Sequence, residues 1–133
     1  MILLDTHVAL WFTVGSDLLG KHSRRIARQA AAESQLAVSA VSFWEIALLI
    51  TKRRLRSSDS AEITRRLILD AGVNELPLTG EIAILAGELD GLHADPADRF
   101  IAATAIVHDA ILMTADDRLL RWRHNVGRHN AET

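Results

Sequence analysis

The chain has 133 residues, the length of one ordinary domain rather than two, and its 49% hydrophobic and 24% charged residues, with both signs interspersed, exclude a disordered or fibrous protein. A net charge of -2 excludes nucleic-acid binding through bulk basicity, so any phosphate recognition has to come from clustered Arg and Lys or from bound cations. The absence of cysteine excludes disulfides, a thiolate nucleophile and zinc-thiolate sites, and fits a reducing cytoplasm.

In chain order, Met1 to Leu4 is a short apolar run followed closely by Asp5 and His7. It lacks a basic n-region and is too short to span a bilayer, so it reads as a core strand of a cytoplasmic protein, with no membrane partner. Thr6 to Phe12 continues as helix. After a turn holding Gly15, Ser16 and Gly20, a second helix is predicted over His22 to Glu33, where Ile26 and Ala30 share a face. Leu36 to Val38 is the next strand. Ser42 to Arg53 is an amphipathic helix, with Ile46, Leu49 and Ile50 on one stripe and a basic last turn suited to the negative end of the helix dipole. Ala61 to Asp70 forms a further helix stopped by Gly72, and Glu75 to Pro77 a third strand. Thr79 to Leu89 and Pro96 to His108 are helical on either side of a loop, the latter apolar nearly all round and so the most buried. Ile111 to Met113 is the fourth strand, and a short helix follows near Asp117 to Trp122. Beyond it RHNVGRHNAET has little hydrophobic pattern, so residues 123–133 are expected to form a frayed or disordered tail behind a domain of residues 1–122. Short strands alternating with helices predict an α/β fold with a mostly parallel sheet.

In such sheets ligands bind beyond the carboxyl ends of the strands. Asp5, Glu45, Asp98 and Asp116 each fall at one of those junctions. Each also has a helix-capping explanation. Ser42 and Glu45 have the spacing of a capping box, Asp95 is a good N-cap before Pro96, and Asp5, Thr114 and Asp116 can cap as well. Asp98 is preferred over Asp95 as a ligand for that reason, and Asp117 is expected to support the ligands from behind or to face solvent. Co-location is harder to explain by capping. Four carboxylates in a small volume oppose one another's ionisation, and a divalent cation removes the conflict. With no His-rich or Cys ligand pattern, a hard ion such as Mg²⁺ is favoured, and with it phosphodiester hydrolysis by a metal-activated water.

The segments LLDTHVALW, SAVSFWEIAL, DPADRFIAATA and ILMTADDRLL resemble, in order and spacing, the acidic motifs of the PIN-domain nucleases, and most nearly those of VapC-type toxins of toxin-antitoxin pairs. The resemblance covers residues 1 to about 122. It implies a three-layer α/β/α fold with a short central sheet, and Mg²⁺- or Mn²⁺-dependent endoribonuclease activity. It also implies a cognate antitoxin protein, and assembly as a homodimer or an antitoxin-bound hetero-oligomer. Carried over by position, the acids are Asp5, Glu45, Asp98 and Asp116, and Thr114 matches the small hydroxyl residue that orients them. The family's sheet usually closes with a further C-terminal strand, which RHNVGRHNAET does not announce.

Other residues are weighed against plainer roles. The basic group Lys52, Arg53, Arg54 and Arg56 suits a helix C-terminus and is also the best candidate for an RNA phosphate track. Trp11 and Trp44 are expected to pack in the core rather than stack on bases, and the histidines to be mainly structural or exposed, with phosphate contact the lesser alternative for His7 and His93 beside the motif acids. Two rival functions stay open. One is an RNA- or metal-binding module without cleavage. The other is an aspartyl-phosphate phosphotransferase using Asp5, disfavoured because His7 stands where such enzymes need a second Asp.

Overall fold

The structure, a computed structural model, describes residues 1–53 and 59–133. Along the chain, β1 (Ile2–Leu4) leads into α1 (Thr6–Val14) and α2 (Lys21–Ala32), and β2 (Leu36–Ser39) into α3 (Val41–Thr51) and α4 (Ala61–Asp70). Then come β3 (Asn74–Leu76), α5 (Gly80–Glu88), α6 (Pro96–Val107), β4 (Ile111–Thr114), α7 (Asp117–Leu120) and β5 (Arg128–Asn130). The five strands form one parallel sheet in the order β3-β2-β1-β4-β5.

The three central strands, β2, β1 and β4, are short and apolar because both sheet faces are covered there. Alternation sends Leu3, Ala37 and Leu112 to one face, where they join Ile82 and Ala86 of α5 and Ile101, Ala102 and Ala105 of α6. Leu4, Val38 and Met113 point the other way, onto Val8 of α1, Ala27 and Ala30 of α2, Ile46 of α3 and Ile68 of α4. The result is the three-layer α/β/α arrangement expected. As anticipated, α6 is deeply buried, with Ile101, Ala102, Ala103 and Ala105 fully enclosed.

Two expectations are corrected. The first concerns residues 123–133, which do not form a frayed tail. Here β5 pairs with β4, with Leu112 opposite Arg128 and Thr114 opposite Asn130, and Ala131 beyond it is fully buried. Backbone and side-chain hydrogen bonds, not hydrophobic alternation, hold this segment. The Arg128 guanidinium donates to the carbonyls of Leu119, Trp122 and His124, closing the loop after α7. The segment then docks on α2, where the Gly20 amide donates to the Ala131 carbonyl at 2.9 Å and the His22 amide to that of Thr133 at 3.1 Å.

The second correction is the capping box. Helix α3 starts at Val41, one residue before Ser42, and Ser42 is buried, its hydroxyl accepting from Thr6 Oγ1 at 2.9 Å. Ser39 serves the helix start instead, accepting the Val41 amide at 3.1 Å. Glu45 is thus one full turn into α3 and free of a capping duty.

The strand order fixes where a ligand sits. From β1 the chain winds outward through β2 to β3, then crosses back over β1 to β4. The two directions diverge between β1 and β4, and in a parallel sheet a crevice opens at such a point, beyond the strands' carboxyl ends. Among the described residues, no helix is long and apolar enough to cross a membrane.

Candidate metal centre

Asp5 follows β1 directly and caps α1, its Oδ1 accepting the Val8 amide at 2.9 Å. Its backbone N–H donates to the Met113 carbonyl of β4 at 3.1 Å, anchoring it at the crevice. The other carboxylate oxygen accepts the hydroxyl of Thr114, the fully buried last residue of β4. Thr114 Oγ1 in turn accepts the Asp116 amide at 3.0 Å. One buried hydroxyl therefore ties the first acid to the backbone of the fourth.

Asp98 comes from the crossover helix α6. Asp95 caps that helix, its Oδ1 accepting the Asp98 amide at 3.3 Å, and Pro96 occupies the first helical position, as the sequence led us to expect. Asp116 caps α7, with Oδ1 accepting the Arg118 amide at 2.8 Å. Asp5, Glu45, Asp98 and Asp116 all line one cavity of about 290 Å³. Asp95, His7, Trp11 and Arg118 line it too, whereas Asp117 does not.

The electrostatics follow from this crowding. Burial pushes the Asp5 carboxyl from its ordinary 3.8 to about 6; the hydrogen bonds from Thr114 and Val8 work against the rise, and the charge of Asp98 adds to it. Asp98 is raised as well, again first by burial and then, against its hydrogen bond from His93, by the charges of Asp95 and Asp116. Asp116 goes the other way. Its partial burial is outweighed by hydrogen bonds from the Arg118 side chain and backbone and by the Arg118 charge, so its carboxyl is held below the usual range.

The residues present fit a divalent cation. Two mutually repelling carboxylates with raised pKa values, Asp5 and Asp98, face the same cavity as Glu45, Asp95 and Asp116, and hard oxygen donors predominate. A ring nitrogen of His93 and carboxylate oxygens of Asp98 and Asp116 also lie within 4.8 Å of one another, close enough to share an ion.

Two further side chains join the acids here. His93, for which the sequence favours a structural or exposed role over a phosphate contact, places Nε2 at 2.7 Å from Asp98 Oδ2. Arg118 was not singled out at all. Its guanidinium lies 3.0 Å from Asp116 Oδ2 and 3.7 Å from Asp98 Oδ2. The only sequence signal was proximity, His93 five residues before one acid and Arg118 two after another. The tryptophans divide. Trp11, in α1, packs against the core while also lining the acid cavity. Trp44, expected in the core, is 49% exposed and instead lines an apolar groove with Leu78, Pro96 and Phe100. Of the basic group, Lys52 and Arg53 are exposed, and Lys52 lines a shallow cavity shared with Glu45 and Asp95. Arg54 and Arg56 lie outside the described residues.

Comparison with known proteins points the same way. A family model described as PIN domain matches residues 2–125. Ribonuclease VapC22 of Mycobacterium tuberculosis is 34% identical over 124 residues, covering 92% of each chain. Among solved structures, DNA-bound VapBC from Salmonella typhimurium superposes with a TM-score of 0.68 at 17% identity over 96% of both chains. VapBC2 from Rickettsia felis, bound to a DNA fragment from its promoter, does so with 0.66 at 22% identity over 98% of both. At these identities the structures establish the shared fold.

Proposed function

Since the chain belongs to the PIN-domain family, and within it to the VapC-type ribonuclease toxins, we propose that the acid-lined cavity is where it hydrolyses RNA, with Mg²⁺ or Mn²⁺ held by Asp5, Glu45, Asp98 and Asp116. It is the ribonuclease toxin of a toxin-antitoxin pair. The observation that carries the siting is that carboxylates from four separate junctions line one cavity at the switch point between β1 and β4.

A bound divalent ion supplies polarisation of a phosphoryl oxygen and a lowered pKa for the attacking water. The chain's residues do the rest. Thr114 holds Asp5 by one oxygen and the Asp116 backbone by its own, fixing the separation of two ligands across the crevice. Asp95 holds the start of α6 and with it the direction of Asp98. His7, exposed in the first turn of α1, and Lys52 flank the acids where an RNA backbone would approach, and the exposed Arg53 extends that track. The cognate antitoxin inhibits by covering the acids with a segment that brings its own Arg or Lys charge. The toxin works in the cytoplasm, as a homodimer or bound to that antitoxin.

The phosphotransferase reading is weaker still in this setting, because both oxygens of Asp5 already accept hydrogen bonds and the side chain is buried. Sequencing cellular RNA ends after brief induction tests the proposal. Wild type should create new 5′-phosphate ends at defined sites, and Asp5→Asn none. Products with 2′,3′-cyclic phosphates, or the same new ends from Asp5→Asn, would sink it.

A further inference from the structure

Among the described residues, Arg118 is the one member of the cavity lining that carries a permanent positive charge, and its placement is specific. It sits in the first turn of α7, two residues after Asp116, so the same carboxylate that accepts its backbone amide also accepts its side chain. Nε lies 3.3 Å from Asp116 Oδ1, and the terminal nitrogen that is 3.0 Å from Oδ2 also reaches to 3.7 Å from Asp98 Oδ2. A forked guanidinium thus grips one carboxylate by both oxygens and leans on a second from another element. Those two acids are among the groups placed within 4.8 Å of one another around a potential ion position. The Arg118 side chain is 59% exposed, so it can swing into solvent without unpacking the core.

We propose that Arg118 is a built-in counter-cation of the site: its guanidinium occupies Asp116 and Asp98 while no divalent ion is bound, and the entering ion has to displace it. This rests on the metal-dependent reading above and deepens it. Two positive groups cannot share these carboxylates at close range without repulsion, and each oxygen held by the guanidinium is withheld from the ion. Arg118 is accordingly a positioning residue. It keeps two repelling acids aligned in the metal-free protein and raises the ion concentration needed to load the site.

The test is calorimetric titration of the metal-free full chain with Mn²⁺ alone, at fixed ionic strength and without RNA. Wild type is compared with Arg118→Gln and with Arg121→Gln. Arg121 is an exposed neighbour that does not line the cavity, so its variant removes the same charge at a distance. The expected result is that Arg118→Gln binds Mn²⁺ about fivefold more tightly than wild type, the effect of releasing a solvent-facing ion pair and one like charge, with Arg121→Gln within about twofold of wild type. Wild-type binding of Mn²⁺ with Arg118→Gln no tighter, or no tighter than Arg121→Gln, overturns the proposal and leaves the metal-dependent reading standing. No Mn²⁺ binding by any of the three overturns both.

Discussion

Asp5 is asked to be buried, hydrogen-bonded and charged at once, and the metal-free fold satisfies only the first two. Its carboxyl titrates at about 6 in the fold against 3.8 ordinarily, so the fold favours the protonated form. That contribution is fully present below pH 3.8 and is lost as pH rises to and through about 6. The gap corresponds to about 3 kcal/mol. Urea denaturation in EDTA should therefore find Asp5→Asn close to wild type near pH 4 and more stable by up to about 3 kcal/mol near pH 7; a gap that does not change with pH contradicts the assignment. Thr114→Val removes the donor to Asp5 and the acceptor of the Asp116 amide in a fully buried spot, and should cost about 1–3 kcal/mol, most of it restored by Thr114→Ser. At this scale the acids could be read from the sequence because Asp5 directly follows a strand, Asp98 and Asp116 open helices, and Glu45 lies one turn into another. The pairings of His93 and Arg118 with those acids could not, since what matters about them is a distance across the crevice and not a spacing along the chain.

The elements are pinned by side chains whose roles are invisible in a hydrophobic pattern. Arg99, in the middle of a sequence that reads simply as buried helix, donates to the carbonyls of Ala86, Leu89 and Leu92, satisfying the end of α5 and the loop that leads to Asp98. Arg99→Met should destabilise by about 1–3 kcal/mol in thermal or urea unfolding, and Arg99→Lys should recover only part because it lacks the fork. Gly20 has a different duty. A Cβ there would collide with the Thr133 carbonyl, so Gly20→Ala should loosen the docked C-terminal segment, seen as faster amide hydrogen exchange at residues 128–133 with the α6 core unaffected. The same contacts explain why β5 escaped the sequence reading. Arg128, His129 and Asn130 have no apolar alternation, and their strand depends on the β4 ladder and on the Arg128 guanidinium. In contrast, α6 was legible because a helix apolar nearly all round has to be buried. The start of α3 was misread because Ser42, in the register of a capping box, spends its hydroxyl on Thr6 across the core.

For the whole molecule, alternating short strands and helices was enough to foresee a parallel three-layer fold, and parallel strands alone put the acid junctions on one edge of the sheet. What the pattern could not supply was the strand order, which decides that β1 and β4 are neighbours and that Asp5, Thr114 and Asp116 meet. A nearly neutral chain then concentrates negative charge at that one crevice, where Asp5, Glu45, Asp95, Asp98 and Asp116 line a cavity of about 290 Å³. The central claim is that this cavity is a divalent-metal ribonuclease site. The most direct measurement is cleavage of labelled RNA by purified wild type and folded Asp98→Asn, each with Mn²⁺ and with EDTA. Cutting by wild type with Mn²⁺, and in none of the other three conditions, is the predicted result; cleavage that survives EDTA, or that folded Asp98→Asn performs as well as wild type, would contradict it.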